Sequence, residues 1–215
     1  PGALVLEFVA GHTFSPTDVR DPRNLDRILD VLKRCHRGIP EYLRGPAAAF
    51  WVFHVVRDYA HTLRMADSRH AALLPGLLTT AARLEKALGP VDIVFGHNDL
   101  LATNFIDDGK RLWLVDWEYA GFNSPLFDLA GLSSNNEFPE DLRAWLIEMY
   151  FGLPLDDGLR LRFTAMTAAS LLRETMWSMV SEIHSRIDFD YAAYTAENLA
   201  RFGAALAVFD EMDKA

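Results

Sequence analysis

The hydrophobic period changes twice along this chain, and that limits the folds open to it. From Leu25 to Leu88 apolar residues recur at helical spacing. Between Val91 and Val115 they fall in short, strand-like runs, and beyond residue 139 the helical spacing returns. An α+β chain, mostly helical with a small β-hairpin at its centre, satisfies that order. Asp21-Pro22 is a helix entry, a capping carboxylate followed by proline at the first helical position. Leu25, Ile28, Leu29 and Leu32 then line one helix face, and Gly38 is the expected stop. After Gly45-Pro46 a second helix is expected to carry Phe50, Phe53, Val56, Ala60 and Leu63, and a third runs from about Leu73 to Leu88 before Gly89-Pro90. Leu4–Val9 and Val91–Phe95 read as short strands, the first of them a strand or hinge. Phe105-Ile106 and Leu112–Val115 flank Asp107-Asp108-Gly109-Lys110, a hairpin turn. Asp141–Tyr150, Leu159 to about Arg186, and Asp190–Met212 read as the closing helices.

A formal charge of −9 argues against a nucleic-acid surface, which needs clustered Lys and Arg. An acidic surface tolerates a cationic substrate, but solubility accounts for the same charge. The lone Cys35 excludes an internal disulfide and a Cys-rich zinc site, and fits a cytoplasmic location. No apolar run approaches the roughly 20 residues of a membrane span.

The chemistry-bearing residues cluster at the β element. His97-Asn98-Asp99, with Asn104 five residues after Asp99, has the form H-x-D-x-x-x-x-N, and Asp116-Trp117-Glu118 follows the hairpin. Any one of these residues alone reads as a turn, a cap or a packed histidine. Taken as an ordered set, they match the parts of phosphoryl transfer. One carboxylate orients the attacking hydroxyl and takes its proton, and hard oxygens from two neighbouring loops hold Mg²⁺ beside the ATP phosphates. Pairing of the two hairpin strands would bring Asn104 and Asp116 to the same end of the ribbon.

At these residues the chain resembles the choline/ethanolamine kinase family, part of the wider aminoglycoside-phosphotransferase-like group with a protein-kinase-like fold. The run from Tyr119-Ala120-Gly121 through Ser124-Pro125-Leu126-Phe127-Asp128 and Asn136-Glu137-Phe138 carries the resemblance further, as does Trp177-Ser178 through Tyr194. The resemblance implies ATP- and Mg²⁺-dependent phosphorylation of a small amino alcohol, choline or ethanolamine. In the catalytic group it implies Asp99 as the base and His97, with Asp128, as braces of the loop. Asn104, Asp116 and Glu118 would be metal-side ligands. Leu6, Glu7 and Val9 would form a hinge against the adenine, with Ile106 and Val115 as its apolar floor. Trp177 and Tyr194 would cage the ammonium group by cation–π attraction, with Glu137 as acidic partner. The family often has a second Trp three residues beyond the first; here that position is Val180, which implies a thinner cage.

Such kinases also need a glycine-rich phosphate loop and a phosphate-binding Lys, and no segment before Leu4 supplies either. The expectation is therefore a C-terminal, substrate-binding lobe spanning 1–215, with residues 1–10 as the hinge segment and the N-terminal lobe absent, weak or inactive alone. The alternatives are a thiamine, aminoglycoside or sugar kinase, and a degenerate lobe serving as a binding module.

Overall fold

The computed structural model describes residues 7–214; the first half of the strand expected over Leu4–Val9, through Leu6, lies outside them. Glu7 to Ala10 carry neither helix nor strand. The first paired segment is β1 (His12–Thr13), followed by the short helix α1 (Pro16–Arg20). Ser15 and Asp18 cap α1 reciprocally: the Ser15 hydroxyl accepts the Asp18 N–H, and the Asp18 carboxylate accepts the Ser15 N–H at 2.8 Å.

Helix α2 (Pro22–Tyr42) begins where Asp21-Pro22 placed it, with the Asp21 carboxylate accepting the Arg23 N–H. It does not stop at Gly38. Gly38 faces open space, and the helix passes through it and through Pro40, ending at Tyr42. Four residues beyond Gly38 thus stay helical although the glycine and proline weaken that turn. Helix α3 (Val52–Met65) starts later than the spacing suggested. Phe50 lies outside it because its backbone is engaged elsewhere: its N–H donates to the Phe122 carbonyl at 2.9 Å, and Ala48 accepts from Phe122 at 2.8 Å. Helix α4 (Leu74–Leu88) closes on Gly89, whose φ of 59° suits a residue without Cβ.

The β element consists of β2 (Val94–Gly96), β3 (Phe105–Asp107), β4 (Leu112–Leu114) and β5 (Gly121–Asn123). One sheet has the order β1-β3-β4 and the other pairs β2 with β5, all antiparallel. The hairpin register is Phe105 to Leu114, Ile106 to Trp113 and Asp107 to Leu112, turning at Gly109 with φ 82°. Helix α5 (Pro125–Asn135) follows, then α6 (Glu140–Phe151), α7 (Asp157–His184) and α8 (Tyr191–Met212).

Helix α7 is the axis of the molecule, packing against α3, α4, α5 and α8. Ala165, Ala168 and Ala169 keep its inner face low, so neighbouring helices approach it while Met166, Leu172, Met176 and Met179 fill the gaps between them. Phe53, Phe105 and Phe209 are among the largest fully buried side chains, each stabilising by roughly 1.5–3 kcal/mol through burial. Among the described residues no helix is long and apolar enough to cross a membrane.

Candidate active site

The loop from Gly96 to Asn104 is held from below by one carboxylate. Asp128, on the first turn of α5, accepts the backbone N–H groups of His97 at 2.8 Å and Asn98 at 2.7 Å, and Nε2 of His36 at 2.9 Å. His36 in turn meets the Tyr150 hydroxyl at 2.7 Å. All of this is buried. Burial alone would push the Asp128 carboxyl up; the His36 hydrogen bond and charge, with His97, outweigh it and hold the group below its ordinary value. Asn98 turns the chain with φ 66°, and its amide donates to the carbonyls of Tyr119 at 2.9 Å and Gly121 at 3.2 Å. Gly96 has no room for a side chain, since a Cβ there would lie 2.7 Å from Asn98 Oδ1.

That turn delivers Asp99 to the surface of a cleft, its side chain one-fifth exposed. Burial pushes the Asp99 carboxyl above its ordinary value; Arg173 and His97 oppose the rise, while Glu174 and Asp116 add to it. The His97 ring is fully buried. Its Nε2 meets the Val115 carbonyl at 2.9 Å and its plane lies edge-on to Trp117 with centroids 4.9 Å apart, so it braces the loop against the segment bearing Asp116.

The hairpin register sets Asn104 opposite Val115, next to Asp116, at one end of the ribbon. The Val115 N–H donates to the Asn104 carbonyl at 3.0 Å, extending the ribbon by one bond toward Asp116, which adopts φ 64°. Asn104 spends its amide N–H on the Asp99 carbonyl at 2.9 Å, which leaves Oδ1 as its acceptor. Asp116 and Glu118 are exposed. Oxygen donors of this kind suit Mg²⁺, which takes one or two protein carboxylates and completes its shell with water and phosphate. Among the described residues no three His, Cys, Asp or Glu side chains cluster in a way that could hold a metal ion by themselves.

Beside Asp99 opens a cavity of about 320 Å³. Trp177 from α7 and Tyr194 from α8 line it together with Tyr119, Phe189 and Tyr191. Trp177 lies edge-on to Tyr191 and Tyr194, with centroids 6.0 and 6.5 Å apart. The acidic side chain here is Glu174, one turn before Trp177 on α7. Its carboxylate accepts Tyr194 Oη at 2.8 Å and Arg173 Nη1 at 2.6 Å. Burial, then the Glu174 charge, push the Tyr194 phenol up to about 12.

A family model for choline/ethanolamine kinase matches residues 1–140, about two-thirds of the sequence. The chain belongs to the choline/ethanolamine kinase family. Mouse ethanolamine kinase 2 is 27% identical over 218 residues, covering 89% of this chain and 56% of its own length. The crystal structure of a choline/ethanolamine kinase family protein from Mesorhizobium loti superposes with a TM-score of 0.77 at 27% identity, covering 93% of this chain and 68% of that one. A spectinomycin phosphotransferase in complex with ADP and spectinomycin shares the fold at 14% identity, with a TM-score of 0.56 over 92% of this chain and 69% of its own. The chain spans about half the length of the curated relatives it matches.

Several residues singled out from the family resemblance do not meet at the cleft. Glu137 lies past the end of α5 with its side chain 82% exposed, 3.8 Å from Arg20, and does not line the aromatic cavity. Val180, in place of the family's frequent second Trp, packs against the core; Phe189 from the α7–α8 connection and Tyr191 at the start of α8 supply rings to the cavity instead. Of the adenine-side residues, Ile106 pairs within the hairpin and Val115 follows it; Glu7 is exposed and Val9 partly buried, while Leu6 lies outside the described residues. Arg173 and Glu174 were missed. Their signal was helical spacing, since both precede Trp177 by one turn on α7.

Proposed function

We propose that this chain is the C-terminal lobe, with residues 1–10 as hinge, of a cytoplasmic kinase that transfers the γ-phosphoryl group of Mg-ATP to the hydroxyl of choline or ethanolamine. The observation that carries the reading is the cavity wall shared by Asp99, the aromatic rings and Glu174. A small amino alcohol spans that wall: its ammonium group among the rings, its hydroxyl at Asp99. Asp99 accepts the hydroxyl proton as the oxygen attacks the γ-phosphorus, and ADP leaves with the bond to its β-phosphate oxygen broken. Asn104, Asp116 and Glu118 would hold Mg²⁺, which supplies neutralisation of phosphate charge. Ile106 and Val115 would underlie the adenine. His97 and Asp128 keep Asp99 in place without reacting.

The test is ADP production by the full-length protein with Mg-ATP and choline, ethanolamine, thiamine or an aminoglycoside. Turnover confined to choline or ethanolamine supports the reading. Turnover with another acceptor alone moves the substrate, and silence with all four alongside absent Mg-ATP binding leaves a binding module.

A further inference from the structure

Arg173 is the one cationic side chain among the residues lining the aromatic cavity. The residue is buried, 4% exposed. It sits over the rings of Tyr119 and Phe50, at 5.1 and 5.7 Å from their centroids. Nη1 binds Glu174 at 2.6 Å, and Nη2 reaches the Asn98 carbonyl at 3.4 Å and lies 3.9 Å from Asp99 Oδ1. Two carboxylates therefore face the cavity with one guanidinium between them, and at their formal charges the three sum to −1. Walls of aromatic carbon screen that charge poorly, so the balance of charges is felt by whatever enters.

We infer that Arg173 sets the charge of the acceptor this site favours: a single ammonium group matches the one net negative charge, and a second positive charge on the ligand finds no carboxylate left to balance it. The inference rests on the cavity being the acceptor site. Glu174 and Asp99 alone would present two negative charges and welcome a dication. With Arg173 between them, one ammonium group neutralises the wall and a second positive charge faces the guanidinium with no free carboxylate, so charge balance discriminates alongside the rings.

The experiment compares kcat/KM of the full-length protein for choline and for a bis-quaternary analogue, choline with one N-methyl extended to a trimethylammonioethyl arm. Wild type should favour choline. In R173M the ratio of dication to choline should rise at least about tenfold, and in R173K, which keeps the charge, it should stay near wild type. Both substrates are read in the same variant, so a misplaced Asp99 or a loosened fold divides out. Should R173M lose turnover, the same ratio is read by calorimetric binding with R173Q. An unchanged ratio in the neutral variants, or an equal rise in R173K, overturns the inference alone. Wild type that turns over neither choline nor ethanolamine overturns it together with the proposed function.

Discussion

The Val115 N–H donates to the Asn104 carbonyl at 3.0 Å, and this one bond beyond the hairpin joins the two halves of the proposed metal side. The Asn104 amide meanwhile donates to the Asp99 carbonyl, so a single side chain links proposed base and proposed ligand. Asn104→Ala should raise the Mg²⁺ concentration needed for half-maximal activity by about 10–100-fold, the range for losing a ligand-supporting contact. A Mg²⁺ titration of ADP production checks it, and an unchanged midpoint would remove Asn104 from the metal side.

Asp99→Asn removes the proton acceptor while keeping the shape. kcat should fall at least about 10²-fold, with nucleotide binding and thermal midpoint close to wild type. A near-normal rate would sink the assignment of the base.

Trp177→Ala strips one face from the aromatic cavity. A cation–π contact of about 0.5–2 kcal/mol converts to a KM for choline raised by roughly 2–30-fold, with the KM for ATP little changed. Equal effects on both constants would mean that Trp177 serves packing between α7 and α8.

Asp128 is buried and accepts from three donors, so Asp128→Asn should cost about 3–5 kcal/mol of stability, because an amide turns its NH₂ toward at least one of them. Urea unfolding measures it; a loss under about 1 kcal/mol would show that the loop is held by other means.

The Arg27–Asp107 pair predicts an acid-sensitive hairpin. Arg27 grips Asp107 through two hydrogen bonds of 2.6 and 2.8 Å, and these, with the Gly109 N–H, lower the carboxyl from 3.8 to about 2. A depressed acid stabilises fully above its unfolded value and loses that contribution as pH falls toward its folded value. The urea midpoint should therefore drop between about pH 4 and pH 2, and less steeply in Arg27→Met. Identical acid limbs in the two proteins would rule the pair out as a contributor.

What was legible in the sequence was what local patterning encodes. The start of α2 at Asp21-Pro22, the hairpin around Gly109 and the long helices after residue 139 follow from caps, turns and periodicity. Misreadings arose where distant segments decide. Phe50 continues the helical spacing of α3 yet hydrogen-bonds with Phe122, and no local signal announces that partner. Helix α5 was not anticipated because it is buried nearly all round and has no polar stripe to reveal its period. Glu137 stood next to a recognisable stretch but turns to solvent, whereas Glu174 becomes visible only once α7 and α8 pack and Tyr194 reaches across to it.

The connection from 185 to 190 carries Phe189 to the cavity rim and is itself largely exposed, with Ile187 and Phe189 at 72% and 55%. The loop bearing Asp99 is instead anchored through Asp128 to α2, α5 and α6. Substitutions in the connection therefore reach the proposed acceptor side without touching any bond that holds Asp99. The two halves of the proposed site are free to diverge at different rates, one rewritten on the surface while the other is locked to the interior.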